Sequence, residues 1–482
     1  MAVFLRFGAQ LKEVLKARGV SASQLSRQMG YKSKTSLFRV LNDEVSLTAL
    51  MTFWKDFCRL DPLKMTLEES RILERALDIS HRGEEAYALD DAMSQLLHPA
   101  EGPAEDIPLR CFGQFAPRVS SFRELMKLYQ KSSRVQFVLL NCNHTGLIRL
   151  ISESFDPDTM VIHHLLDLNG TLKDTLSSIS ALLPLLHFPN YSPCAVPDPV
   201  RSRLIFVLMR TPEGIWETHY FIFDAGGALH MMTSRDPDFP QFLSASIQKP
   251  MLSHVTPLRD VISPLRGPAD YVACTQRYHA LEKGRPLYSI KPDIPVTFIH
   301  PDLLVAAARD RFKAMGTVSP ETDALIDNLY QVQLRRWQNF FESHKVTHVI
   351  FSKEAMIRFA RTGDLADRFF TLRPYTPRER ESILTFLWEQ CQSNPYFNIY
   401  FARDNTLIQN REISCFEGKG TVIQDAGTSG RQEVILTHEG FEQQFKNYFM
   451  NELLPRHVLS QRESQYLWDY LISLCRNQRE LS

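Results

Sequence analysis

An N-terminal all-α helix-turn-helix bundle followed by a large α+β (mixed α/β) domain is the fold class that this sequence predicts, and three observations predict it. The first 60 residues carry their apolar side chains in four short stripes at helical spacing. From residue 121 onward, helical and strand patterns alternate irregularly. Between the two lies a stretch punctuated by Pro99, Gly102, Pro103, Pro108 and Pro117, which reads as a linker.

The stripes are Phe7, Leu11, Val14 and Leu15; Ala22, Leu25 and Met29; Leu37, Val40 and Leu41; and Leu47, Leu50, Phe53, Trp54 and Phe57. Each is one face of a helix. Ser21 with Gln24 forms a capping-box pattern at the second helix, and Thr66 with Glu69 opens a fifth that runs to about residue 79. Gly19 and Gly30 stand where helices should stop. A further helix over 84–97 completes the front, so the expected divisions are a helix-turn-helix unit over 1–80, a helical connector and linker over 81–118, and an α+β body over 119–482 divided near 290–318 or left whole.

In the body, Ser121 and Glu124 cap a helix to about 131, and apolar strands are expected at 135–140 and 159–163. A helix through Leu172, Leu176, Ile179, Leu183 and Leu186 should bend or end near Pro184. Residues 203–233 read as a meander, and 237–301 resists assignment. Helices then follow at 302–314, 320–343, 353–361 and 377–392, with a strand at 346–351. Strands near 397–402, 413–424 and 432–437 precede two closing helices at 439–454 and 461–476, the last opened by Ser460 and Glu463. No fixed period matches residue to residue, so no repeat is expected.

Composition narrows the function. With 482 residues, 44% apolar and 23% charged, the chain is an ordinary globular sequence, and its 31 Phe argue against extensive disorder. Basic and acidic residues balance at 55 each, so any attraction to a polyanion must be local. It is local at the front, where residues 1–42 hold eight basic side chains against Glu13 alone. The eight cysteines are scattered without metal-ligand or disulfide spacing, and no apolar run is long enough to span a bilayer. A cytoplasmic protein without cofactor, metal or membrane partner is therefore expected.

Residues 33–41 supply what a DNA-reading helix needs: Leu37, Val40 and Leu41 for the inner face, and Lys34, Thr35, Phe38 and Arg39 for the outer one. Lys32 and Ser33 lie at its positive N-terminal end, where a phosphate can sit. Arg39 suits a guanine edge, Ser36 and Thr35 suit base edges or phosphates, and Phe38 suits a thymine methyl.

With Leu-Lys-Glu-Val-Leu-Lys-Ala-Arg-Gly-Val-Ser, Gln-Leu-Ser-Arg-Gln-Met-Gly and Thr-Ser-Leu-Phe-Arg-Val-Leu-Asn in succession, residues 7–57 resemble the DNA-binding domain of the lambda-repressor-like, or xenobiotic-response-element, family of bacterial regulators. The resemblance covers about a tenth of the chain. It implies base reading by Lys34 through Arg39 and phosphate gripping at Gln24. The expectation is a sequence-specific DNA-binding transcriptional regulator that binds double-stranded DNA as a homodimer, with half-sites about 34 Å apart, and whose body senses a small-molecule or protein effector or dimerises. The alternatives are a DNA-targeted enzyme or defence protein, which would need clustered carboxylates, and a protein-interaction scaffold, which would bind indifferently to salt.

Other constellations read as structural. His163 and His164 are strand neighbours that point to opposite faces. Asn141-Cys-Asn-His-Thr-Gly reads as a polar turn, and Gly418-Lys-Gly420 as hairpin punctuation. Trp337, Phe340 and Phe341 read as the core face of a long helix. The closing helices, with Phe441, Phe445, Tyr466 and Tyr470, suit either a dimer seam or the body's own core.

Overall fold

The computed structural model describes residues 7–31, 34–97, 103–113, 118–168, 170–185, 188, 190–196, 204–211, 214–223, 228–236, 238, 256–257, 268–314, 316, 319–365, 373–403, 411–425 and 432–481. The protein is mixed α/β with two mixed sheets, and its chain divides into two compact units, residues 1–93 and 94–482. Among the described residues no helix is long and apolar enough to cross a membrane.

The first unit contains α1 (Phe7–Ala17), α2 (Ala22–Gln28), α3 (Lys34–Leu41), α4 (Leu47–Leu60), α5 (Leu67–Arg82) and most of α6 (Glu84–Leu97). Both capping boxes form: the Ser21 hydroxyl accepts from the Gln24 N–H while Gln24 reaches back, and Thr66 and Glu69 do the same. Gly30, at φ 72°, ends α2 in the left-handed region that favours glycine. The apolar stripes meet in one core, with Phe7, Leu11, Leu25, Leu37, Phe57 and Leu73 fully enclosed. At Gly8 the packing is closest: a Cβ there would lie 2.5 Å from the carbonyl oxygens of Val40 and Leu41. The Arg18 guanidinium, paired with Glu69, fastens α1 to α5 and holds the Glu69 carboxyl down at about 2.

The second unit is built on two sheets. The first comprises β1 (Leu109–Phe112), β2 (Arg134–Leu140), β3 (Met160–Asp167), β4 (Tyr191–Val196), β5 (Leu204–Arg210), β6 (Trp216–Phe223), β7 (Leu229–Ser234) and β8 (Thr256–Pro257), in the order β1-β7-β6-β5-β2-β3-β4-β8. The second comprises β9 (Leu287–Lys291), β10 (Thr347–Phe351), β11 (Phe397–Phe401), β12 (Arg411–Phe416), β13 (Gly420–Asp425) and β14 (Gln432–Leu436), in the order β11-β10-β9-β12-β13-β14.

These sheets share one plan. In the first, β2, β3 and β4 run parallel, joined by α8 (Thr145–Glu153) and α9 (Leu172–Leu182). The chain then crosses to the other side of β2 and lays down β5, β6 and β7 as an antiparallel meander. In the second, β9, β10 and β11 run parallel, with α11 (Pro301–Ala314), α12 (Pro320–Phe341), α13 (Lys353–Thr362) and α14 (Pro377–Ser393) in the crossovers. Then β12, β13 and β14 form the same meander beside β9. The repeat that no residue period announced is present in the strand order.

The remaining helices are α7 (Phe122–Tyr129), α10 (Pro268–Glu282), α15 (Glu439–Tyr448), α16 (Leu454–His457) and α17 (Gln461–Leu481). Between α10 and α12 lies a buried polar group. Arg336 donates to both oxygens of Glu282 at 2.8 and 2.7 Å, and Asn339 donates to the Glu282 carbonyl at 3.0 Å. The Lys345 side chain is enclosed next to it at 4% exposure, with its ammonium 3.9 Å from the centre of the Phe340 ring. Burial pushes Lys345 down to about 7, Arg336 adds to the shift, and Glu282 opposes it.

Several elements differ from expectation. The 98–118 stretch contains β1, which pairs with β7 and receives Ser120 on its other side through the bond from the Leu109 N–H at 2.9 Å. The polar turn at 141–146 opens α8, and β4 forms despite Pro193 because parallel pairing to β3 leaves that position without a required donor. The single strand expected over 413–424 is two strands joined at a tight hairpin.

Candidate nucleic-acid interface

The α2–α3 pair is held in place from behind. The Gly8 N–H donates to the Asp43 carboxylate at 2.8 Å and the Lys12 ammonium to the Asn42 side chain at 3.0 Å, so the end of α3 is fixed against α1. Leu37, Val40 and Leu41 point into the core. Lys34, Thr35, Ser36, Phe38 and Arg39 are exposed, and Phe38 leaves 47% of its surface in water although it is a large apolar ring. Arg39 is partly engaged, donating to the Glu44 carbonyl oxygen at 3.2 Å. Gln24 is exposed, and its amide oxygen accepts from the Ser21 N–H at 2.7 Å, which leaves the amide nitrogen for outward contact. Lys32 and Ser33 lie outside the described residues.

The other sequence candidates are built into packing. His164 is wholly enclosed between the Tyr191 hydroxyl at 2.8 Å and the Cys142 carbonyl at 2.9 Å, and burial pushes it down to about 4, so it is neutral. His144 caps α8 by accepting the Leu147 N–H at 3.1 Å and stacks on Phe223 at 4.5 Å. Trp337 stacks on Phe386 at 5.5 Å and touches Phe341 at 5.2 Å, as a core stripe does. In the closing helices Phe441, Phe445, Leu467 and Leu471 are buried within the unit, whereas Tyr466 and Tyr470 are exposed. Among the described residues no group of three or more His, Cys, Asp or Glu side chains is disposed to hold a metal ion.

A concavity that sequence reasoning missed lies in the second unit, formed by the start of β9, the β12–β13 hairpin and α15. Its residues come from three stretches far apart in the chain. The nearest signal was Gly418-Lys-Gly420, which by itself marks only a turn.

No family model matches the chain, and no curated protein matches it. Among solved structures it is similar to the crystal structure of phosphatidylserine synthase from Haemophilus influenzae Rd KW20, at 9% identity and a TM-score of 0.24, over 74% of this chain and 91% of that one. The expectation of a sequence-specific DNA-binding transcriptional regulator is withdrawn, since neither the family models, the curated proteins nor this structure supports it. A TM-score of 0.24 carries no substrate, reaction or residue role over to this chain.

Proposed function

We propose that the first unit is a helix-turn-helix bundle of the lambda-repressor-like kind that docks the chain onto double-stranded DNA, chiefly through backbone phosphates. Transcriptional control and operator reading form no part of this proposal. The observation that carries it is the division of α3 into a core face of Leu37, Val40 and Leu41 and a solvent face of Lys34, Thr35, Ser36, Phe38 and Arg39. Such a face fits a major groove, with hydroxyl and cationic side chains placed to meet phosphates on either side. A homodimer belongs to the same proposal, because two heads double the number of phosphates neutralised. A reducing, cytoplasmic setting suits it, and no disulfide joins the described cysteines.

Fluorescence anisotropy of the full chain on a labelled duplex of arbitrary sequence, across a salt series, tests the proposal. Each cation that touches a phosphate contributes about 0.9 to the slope of log affinity against log salt. Lys34→Ala and Arg39→Ala should each lower that slope by about one. Slopes unchanged in both variants, or no binding at low salt, would overturn it.

A further inference from the structure

We infer that the concavity between β9, the β12–β13 hairpin and α15 is a binding site for a small phosphate-bearing ligand, with the phosphate seated between Arg285 and Lys419. The cavity measures about 870 Å³, within the range of about 300–1,000 Å³ in which small molecules are held.

Its charges are not equivalent. Lys446 is already paired with Glu417 at 2.9 Å, and its ammonium lies 5.6 Å from the centre of the Tyr288 ring. Glu442 accepts the Gly418 N–H at 2.7 Å and so anchors the hairpin from α15. Burial raises the Glu442 carboxyl above its ordinary value, with Glu439 and Glu417 pushing the same way. Arg285 and Lys419 line the concavity, both exposed and with no side-chain hydrogen bond or ion pair among the described residues, and the exposed Glu439 lines it with them.

Gly418 matters to this arrangement. It sits at φ 74°, and a Cβ there would be 3.5 Å from an Arg285 guanidinium nitrogen, so the guanidinium lies directly over the turn. A planar guanidinium fork and a lysine point charge lining one concavity match a phosphate dianion better than a single carboxylate. The Tyr288 ring, 6% exposed, stacks on His348 at 5.7 Å and is braced edge-on by Phe449 at 5.8 Å, and Pro286 adds an apolar flank for the body of the ligand. Burial pushes the Cys415 thiol up to about 12, so the sulfur in this wall is not a nucleophile.

The test is isothermal titration of the full chain with adenosine 5′-monophosphate and, separately, with inorganic phosphate. Saturable binding of the nucleotide about tenfold or more tighter than phosphate is expected, equivalent to about 1.4 kcal/mol. Arg285→Ala and Lys419→Ala should each weaken it by about tenfold while leaving the thermal midpoint in place, and Lys34→Ala should leave it unchanged. No saturable binding of either probe at millimolar concentration, equal affinity for the two probes, or wild-type affinity in Arg285→Ala would overturn the assignment. Because Lys34 belongs to the first unit, failure here and failure of DNA docking are read separately.

Discussion

Replacing Lys345 by methionine should stabilise the second unit, and by an amount that depends on pH. The lysine has 4% exposure and its ammonium nitrogen makes no hydrogen bond among the described residues. Its folded value of about 7 lies below the ordinary 10.5, so between these limits the unfolded chain binds the extra proton. Stability therefore rises with pH through that window, and the full penalty applies below about 7. One pH unit corresponds to about 1.4 kcal/mol, giving an upper limit of about 5 kcal/mol across the window. The cation–π contact with Phe340 returns about 1–2 kcal/mol of this when the amine is charged. Lys345→Met, of similar length, should gain about 3–4 kcal/mol at pH 6, and the gain should shrink steadily from pH 7 to 9. The assay is urea denaturation of the full chain at pH 6, 7, 8 and 9, read as the difference in midpoint between variant and wild type. A constant difference across that range would refute the reasoning, as would a variant less stable than wild type at pH 6.

Three further perturbations are specific. Gly8→Ala places a methyl against the Val40 and Leu41 carbonyls and should destabilise the first unit by about 1–3 kcal/mol, seen as an earlier thermal transition with loss of helical circular dichroism. Arg336→Met leaves the Glu282 carboxylate enclosed without its partner and should cost about 3–5 kcal/mol, while adding Glu282→Leu should recover most of it; a double variant no better than the single one would contradict this. His164, neutral in the fold, should make the wild type lose about 3 kcal/mol as pH falls from 6.5 toward 4, because the unfolded chain takes up the proton first; His164→Leu should flatten that segment of the urea-midpoint profile.

Local rules made some elements legible and tertiary pairing hid others. The first five helices follow from apolar spacing and from two boxes, Ser21 with Gln24 and Thr66 with Glu69, whose partners lie three residues apart. In contrast, α8 opens on His144, an unusual cap that accepts the Leu147 N–H, and β4 contains Pro193, whose pairing partner on β3 is remote in sequence. β1 has four residues and exists because β7 returns to pair with it. At the proposed DNA face, apolar spacing separates Leu37 from Phe38, but the basic stretch of residues 1–42 stops short of two acidic neighbours. Asp43 and Glu44 follow immediately, and their side-chain and carbonyl oxygens hold Gly8 and Arg39. The regulator expectation also reached beyond residues that can describe a contact but not what the contact controls. The phosphate seat had no motif at all, since Arg285, Lys419 and Tyr288 meet only when β9 pairs with β12.

The shared plan of the two sheets makes the second unit a covalent pseudodimer. None of the described strand ladders passes from one sheet to the other, so a nick between Pro257 and Pro268 would break none of the described ladder bonds. The halves are nonetheless clasped: Gln444 on α15 donates to the Gly170 carbonyl at 3.3 Å, and Arg411 at the start of β12 donates to the Leu96 carbonyl at 2.6 Å. Two fragments divided there should reassemble when mixed, each bringing its own sheet.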